Sequence, residues 1–105
     1  MLYVKHKKYY NQVMIKSFKN KDTQNFYQGK RIKQWQAFQK QAERRLQILD
    51  EASCLDDLKN LPSNHFESLQ GNRKGQFSIR INLQWRVCFK WRNEEPYDVE
   101  IVDYH

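Results

Sequence analysis

Gln76-Phe-Ser-Ile-Arg-Ile-Asn82, Leu83-Gln84 and Trp85-Arg-Val-Cys-Phe-Lys-Trp-Arg92 form the stretch that decides the fold. Both long runs alternate with the period of a strand. Phe77, Ile79 and Ile81 share one face, and Gln76, Ser78, Arg80 and Asn82 the other. In the second run Trp85, Val87, Phe89 and Trp91 face one way, and Arg86, Cys88, Lys90 and Arg92 the other. A two-residue loop at Leu83-Gln84 would set Asn82 against Trp85, and the apolar faces would disagree. A loop of Asn82-Leu83-Gln84 pairs Ile81 with Trp85 and aligns them. This register predicts Arg80 directly opposite Arg86, on the face turned away from the core. Like charges facing across strands cost a few tenths to ~1 kcal/mol. A phosphodiester would offset that cost, because two guanidinium forks match its oxygens. An ordinary solvated basic face fits the same pattern.

Downstream, Asn93-Glu94-Glu95-Pro96 reads as a turn and about 97–102 as a fourth strand, with Tyr97, Val99 and Ile101 inward. Continued alternation puts Tyr104 on the arginine face. Asp103, Tyr104 and His105 are either a frayed tail or three titratable groups beside a cationic surface. Histidine is the natural acid–base group near neutral pH. Upstream, Gly71-Asn-Arg-Lys-Gly75 is a turn after a first meander strand at about 66–70, and Leu61-Pro-Ser-Asn64 breaks a helical region. His65, just before that strand, reaches toward the same edge or is a plain surface histidine.

Trp35, Phe38, Ala42, Leu46 and Leu49 fall at helical spacing and predict one helix from Lys33 to Ala52. A shorter helix is predicted from an Asp22 N-cap through Tyr27, stopped by Gly29 at C′. Met14-Ile-Lys-Ser-Phe18 reads as a short strand with Ile15 and Phe18 inward. The order is strand, two-helix hairpin, antiparallel meander: an α+β domain with helices packed on one face of the sheet. Residues 1–13 lack periodicity and read as an extension, upstream of a domain spanning 14–105.

The chain has 105 residues, enough for one modest core, and a net charge of +7 from 19 basic and 12 acidic residues. That balance suggests a polyanionic partner without naming one. No apolar run is long enough to span a membrane and no secretory pattern opens the chain, so a cytoplasmic protein is expected. Cys54 and Cys88 read as buried or half-buried free thiols. No P-loop, dinucleotide fingerprint, nucleophile elbow or zincin motif is present, and the scattered acids suggest no metal site, so no cofactor is expected.

Leu69-Gln-Gly-Asn-Arg-Lys-Gly-Gln-Phe-Ser-Ile-Arg-Ile-Asn-Leu-Gln-Trp-Arg-Val-Cys-Phe-Lys-Trp91 resembles the strand–turn–strand signature of HigB-type toxins in the RelE/ParE superfamily. Val99-Glu-Ile-Val-Asp-Tyr-His105 resembles their C-terminus, Met14-Ile-Lys-Ser-Phe18 their start, and Ala42-Glu-Arg-Arg-Leu46 their helix. The likeness spans about residues 14–105 and is closest to the GraT-like branch. Where some HigB toxins carry a histidine this chain has Glu67, and where some carry a lysine it has Gln70.

The resemblance implies a RelE/ParE-like fold and a metal-independent endoribonuclease that enters the ribosomal A site and cuts mRNA. It implies a HigA-like helix-turn-helix antitoxin as partner, with operator DNA bound only through the toxin–antitoxin complex. On that reading Arg80 and Arg86 stabilise phosphoryl charge, His105 or Asp103 transfers protons, and Tyr104 orients the phosphate or stacks on a base. Arg73 and Lys74 would meet ribosomal RNA, and Asn82, Lys90 and His65 would complete the RNA-binding surface. Two other readings remain: a same-fold inhibitor of DNA gyrase, as in ParE-like toxins, and an RNA-binding module without catalysis.

Overall fold

The computed structural model describes residues 15–104. The expected extension, Met14 and His105 lie outside them. Helix α1 is Lys21–Tyr27; a 3-10 helix, Lys33–Phe38, runs directly into α2, Gln39–Glu51; α3 is Leu55–Lys59. The strands β1 Glu67–Ser68, β2 Phe77–Arg80, β3 Trp85–Arg92 and β4 Glu95–Asp103 form one antiparallel sheet in that spatial order. The expected α+β meander is therefore present, and the helices cover one face. Ile79, Val87, Phe89, Val99 and Ile101 from the sheet meet Trp35, Phe38, Ala42, Leu46 and Leu49 from the helical layer. Each large side chain among them contributes roughly 1.5–3 kcal/mol by leaving water.

Local chemistry explains several departures. Asn20, not Asp22, caps α1: its Oδ1 accepts the Thr23 N–H at 2.9 Å, and Asp22 sits in the first turn. Gly29, at φ 96°, occupies the expected left-handed position after α1. The buried Thr23 hydroxyl accepts the Ile101 N–H at 3.2 Å and pins α1 to β4. The long helix expected from Lys33 to Ala52 opens instead as a 3-10 helix. In that geometry residues three apart eclipse, so Trp35 and Phe38 both reach Trp85, with ring centroids 6.4 and 5.1 Å away. Helix α3 was not expected; the fully buried Leu58 ties this turn to the core. The first meander strand shortens to Glu67–Ser68, while Phe66 stacks on Phe77 at 5.5 Å.

The N-terminal strand is reduced to one bridge. Phe18 pairs parallel with Val99, and Lys16 N–H to the Pro96 carbonyl and Val99 N–H to the Ser17 carbonyl extend the contact. Strand β4 is thus flanked on both sides. It also carries a bulge: Cys88 pairs with Glu100 but Lys90 with Tyr97, leaving one extra residue in β4, with Asp98 at φ 51°. Ser17 Oγ donates to Asp98 Oδ1 at 3.2 Å and accepts the Asp98 N–H at 2.9 Å, which fixes the bulge. The extra residue reverses the alternation. Tyr97, expected in the core with Val99 and Ile101, lies opposite Lys90, with the Arg92 guanidinium 4.5 Å from its ring centre. The turn expected over Asn93–Pro96 contracts to Asn93 and Glu94, both with positive φ, and Pro96 is a buried member of β4.

Candidate active site

The sheet face away from the helices is assembled by the hairpin register. Arg80 pairs with Arg86 and Ile79 with Val87, as the alternation predicts. Asn82 sets this register: its Oδ1 accepts the N–H groups of Gln84 and Trp85, each at 2.8 Å. That occupies the side chain in the turn itself, an Asx-type role. The same loop fastens the chain end, because the Gln84 carbonyl accepts the Tyr104 N–H at 2.7 Å.

Two arginines on neighbouring strands coexist because one is enclosed by partners. Arg86 is only 7% exposed. Its Nε donates to Ser78 Oγ at 2.7 Å, its Nη2 donates to the His65 carbonyl and lies 4.0 Å from Glu67 Oε1. Its guanidinium carbon stands 5.4 Å from the Tyr104 ring centre, and the Tyr104 hydroxyl donates to Glu67 Oε1 at 3.4 Å. A buried guanidinium without such partners would be strongly destabilising; with them it becomes an oriented cation. The side chain of half-buried Arg80 makes no hydrogen bond or ion pair among the described residues and is available to an anion.

The other expected site residues divide. Tyr104 reaches the arginine face. Asp103 pairs opposite Trp85, so its side chain takes the other parity, where Oδ2 accepts from Gln84 Nε2 at 3.0 Å. The predicted trio is therefore split, and His105 lies outside the described residues. His65 contributes its carbonyl while its side chain is exposed. Arg73 folds back on the sheet, its Nη1 3.0 Å from Gln76 Oε1 and 3.3 Å from Glu100 Oε1. Lys74 is exposed after the 3-10 turn Gly71–Arg73. Lys90 pairs with Asp98 at 3.4 Å across a solvated gap.

Two residues of this cluster escaped the sequence reading. Glu67 is brought in by the pairing Glu67↔Ser78, and Ser78 by the register that sets it beside Arg86. Glu67 marked only a position where this chain differs from some HigB toxins, and Ser78 looked like one polar residue in an alternating strand. Among the described residues, no three His, Cys, Asp or Glu side chains converge as a metal site would need, and no helix is long and apolar enough to cross a membrane. A cleft of about 390 Å³ lined by Phe26, Tyr27, Glu43, Leu46 and Asp50 lies in the helical layer.

Cys88 lies under this surface, fully buried opposite Ser78 and Glu100. Burial pushes its thiol up to about 11, against the pull of the nearby Arg73 charge. Cys54, expected to be at least half-buried, is exposed at the start of α3, where its polar backbone rather than a core contact holds it. Iodoacetamide at about pH 8 should therefore modify Cys54 and spare Cys88 until denaturant is added, because the thiolate is the reactive form. Peptide mass mapping checks this; equal labelling of both in the folded protein would contradict the burial of the site floor.

Comparisons with known proteins agree with this architecture. Residues 16–105 match the family model for the HigB-like toxin, a RelE-like toxin of type II toxin–antitoxin system HigB. The chain is 39% identical over 80 residues to Toxin HigB-1 of Vibrio cholerae, covering 74% of this chain and 84% of that protein. It is 34% identical over 61 residues to Endoribonuclease HigB of Proteus vulgaris, covering 58% of this chain and 65% of that protein. Among solved structures, the YoeB–YefM complex from Staphylococcus aureus matches with a TM-score of 0.52 at 18% identity, over 87% of this chain and 97% of that one, a likeness of fold. The family match over nearly the whole described domain, together with the relative from Vibrio cholerae, places this chain in the HigB-like family of RelE-like toxins from type II toxin–antitoxin systems.

Proposed function

We propose that this toxin is an endoribonuclease that cleaves mRNA bound in the ribosomal A site and so arrests translation. The observation that carries the reading is the cluster of Arg86, Glu67 and Tyr104, with Arg80 opposite Arg86 across the strand pair. The relative from Proteus vulgaris, an endoribonuclease by name, supports it. The RNA 2′-hydroxyl attacks the adjacent phosphorus, Glu67 accepts its proton, and the bond from phosphorus to the 5′-oxygen breaks. The products are a 2′,3′-cyclic phosphate, which can open to a 3′-phosphate, and a 5′-hydroxyl. Arg80 and Arg86 stabilise charge on the non-bridging oxygens. Tyr104 orients the phosphate or stacks on a base. His105, an imidazole able to act near neutral pH, is the group proposed to protonate the leaving oxygen. These five protein groups require no metal.

Lys74 and Lys90 are proposed contacts for the RNA backbone; Arg73 and Asn82 support the site instead, through Glu100 and the hairpin turn. A HigA-like helix-turn-helix protein is the proposed antitoxin, with operator DNA reached only through the complex. The toxin domain is taken as 14–105 with 1–13 as an extension, and a ribosomal target implies the cytoplasm. The carboxylate and the tyrosine hydroxyl beside Arg86 favour a nuclease over a gyrase inhibitor or a passive RNA binder, because they add proton-transfer groups to an anion site.

The test is incubation of the purified toxin with ribosomes carrying end-labelled mRNA. New ends bearing a 5′-hydroxyl and a cyclic or 3′-phosphate are expected. Intact mRNA, or 5′-phosphate ends, would overturn the proposal; induction of a DNA-damage response without mRNA cleavage would favour the gyrase reading.

A further inference from the structure

We propose that Arg45 and Asn64 are positioning residues for Arg86, acting through the His65 carbonyl around the edge of the sheet. The inference rests on the reading that Arg86 binds the scissile phosphate. It begins on α2, in the helical layer, where Arg45 Nη1 donates to Asn64 Oδ1 at 2.6 Å and to Ser63 Oγ at 3.3 Å. Asn64 is fully buried, and its Nδ2 donates to the Leu58 carbonyl at 3.0 Å. Its N–H donates to the Leu61 carbonyl at 2.9 Å. Both ends of the amide are thus used, and the loop from Leu58 to Asn64 is closed on itself and tied to α2.

The next residue is His65, with φ 44° and ψ 52°. A residue bearing a Cβ enters this left-handed region at a steric cost, so its surroundings must impose it. On one side Asn64 is clamped; on the other, Glu67 is already paired with Ser78 in the edge strand. The left-handed turn carries the chain past β1 and presents the His65 carbonyl to Arg86 Nη2 on the far face. The same short segment delivers Glu67 to Arg86 and Tyr104. Loosening Arg45 therefore frees the acceptor that fixes one edge of the guanidinium, while Ser78 still holds Nε. Arg45 lies in the helical layer, opposite the proposed RNA face, and reaches the site through the 64–67 segment.

The experiment compares full-length Arg45→Gln and Arg45→Lys with the wild type, all checked for folding by thermal melting. Arg45→Gln is expected to lower kcat about tenfold with KM unchanged, and to speed hydrogen exchange at the Arg86 Nη2 protons, which the His65 carbonyl holds, read by nitrogen-15 NMR without RNA. Arg45→Lys, which keeps a donor for Asn64, should restore most of both. Unchanged Arg86 exchange in Arg45→Gln would overturn the proposal. So would a rise in KM alone, which would make Arg45 an RNA contact, or a rate loss that vanishes on cooling, which would make it a stability effect. Failure of the wild type to cleave RNA would sink the nuclease reading alone, since the exchange measurement stands without it.

Discussion

Replacing Arg86 with lysine should cut mRNA cleavage by about a hundredfold or more, a scale typical of losing one preorganised donor to transition-state charge. The substitution keeps the positive charge, so any loss reports geometry. Arginine here holds one edge against Ser78 Oγ and the His65 carbonyl, which fixes the plane of the guanidinium beside Tyr104 and Glu67. An ammonium cannot reproduce that fork and hydrates more strongly. It can satisfy one of the two acceptors; the other, left unpaired, costs about 1–3 kcal/mol. A small domain carries about 5–15 kcal/mol of stability, so the variant should fold and melt at a lower temperature. Single-turnover cleavage on mRNA-programmed ribosomes, alongside a melting curve, measures both. Growth arrest on induction should disappear with the cleavage. A folded Arg86→Lys variant cutting at the wild-type rate would remove the buried arginine from the chemistry and, with it, the central support for a nuclease.

The placement of Arg86 was legible because alternation in two adjacent strands leaves one register in which neither apolar set faces water. Arg80 then had to oppose Arg86, and it does. Tyr97 was misplaced by the same logic: a single extra residue at Asp98 inverts every side chain before it in β4, and nothing in Tyr-Asp-Val announces a bulge. Asp103 and Tyr104 illustrate a related limit. Proximity in sequence suggested a common site, yet adjacent strand residues point to opposite faces, and Gln84 draws Asp103 to the loop side. Arg73 and Asn82 looked free for RNA because a sequence does not reveal which polar side chains are spent internally. Glu67 was the reverse case. Its value comes from a two-residue edge strand, too short to show any period, that lays it against Arg86.

Glu67→Gln should slow cleavage by about 10²–10⁴-fold, the range that a positioned general base supplies. Stability should hardly change: the Glu67 side chain is 48% exposed and its contact with Arg86 is 4.0 Å long, and such exposed pairs contribute little. The carboxamide oxygen can still accept from Tyr104, so the variant removes the base while keeping the shape. Glu67→His, the residue type that some HigB toxins carry there, gives the sharper measurement. A base works only when deprotonated, so the rate falls as pH drops through its titration. An imidazole holds its proton to roughly two pH units higher than a carboxyl group. The acid limb of the cleavage profile should therefore move to higher pH, with activity recovered on the alkaline side. A residue that merely braced Arg86 would change the height of the profile and leave the position of its limb alone. If Glu67→Gln cuts at full speed, or the Glu67→His profile superimposes on that of the wild type, the proton must leave the 2′-hydroxyl by another route. Arg86 would then be a phosphate clamp whose base lies elsewhere.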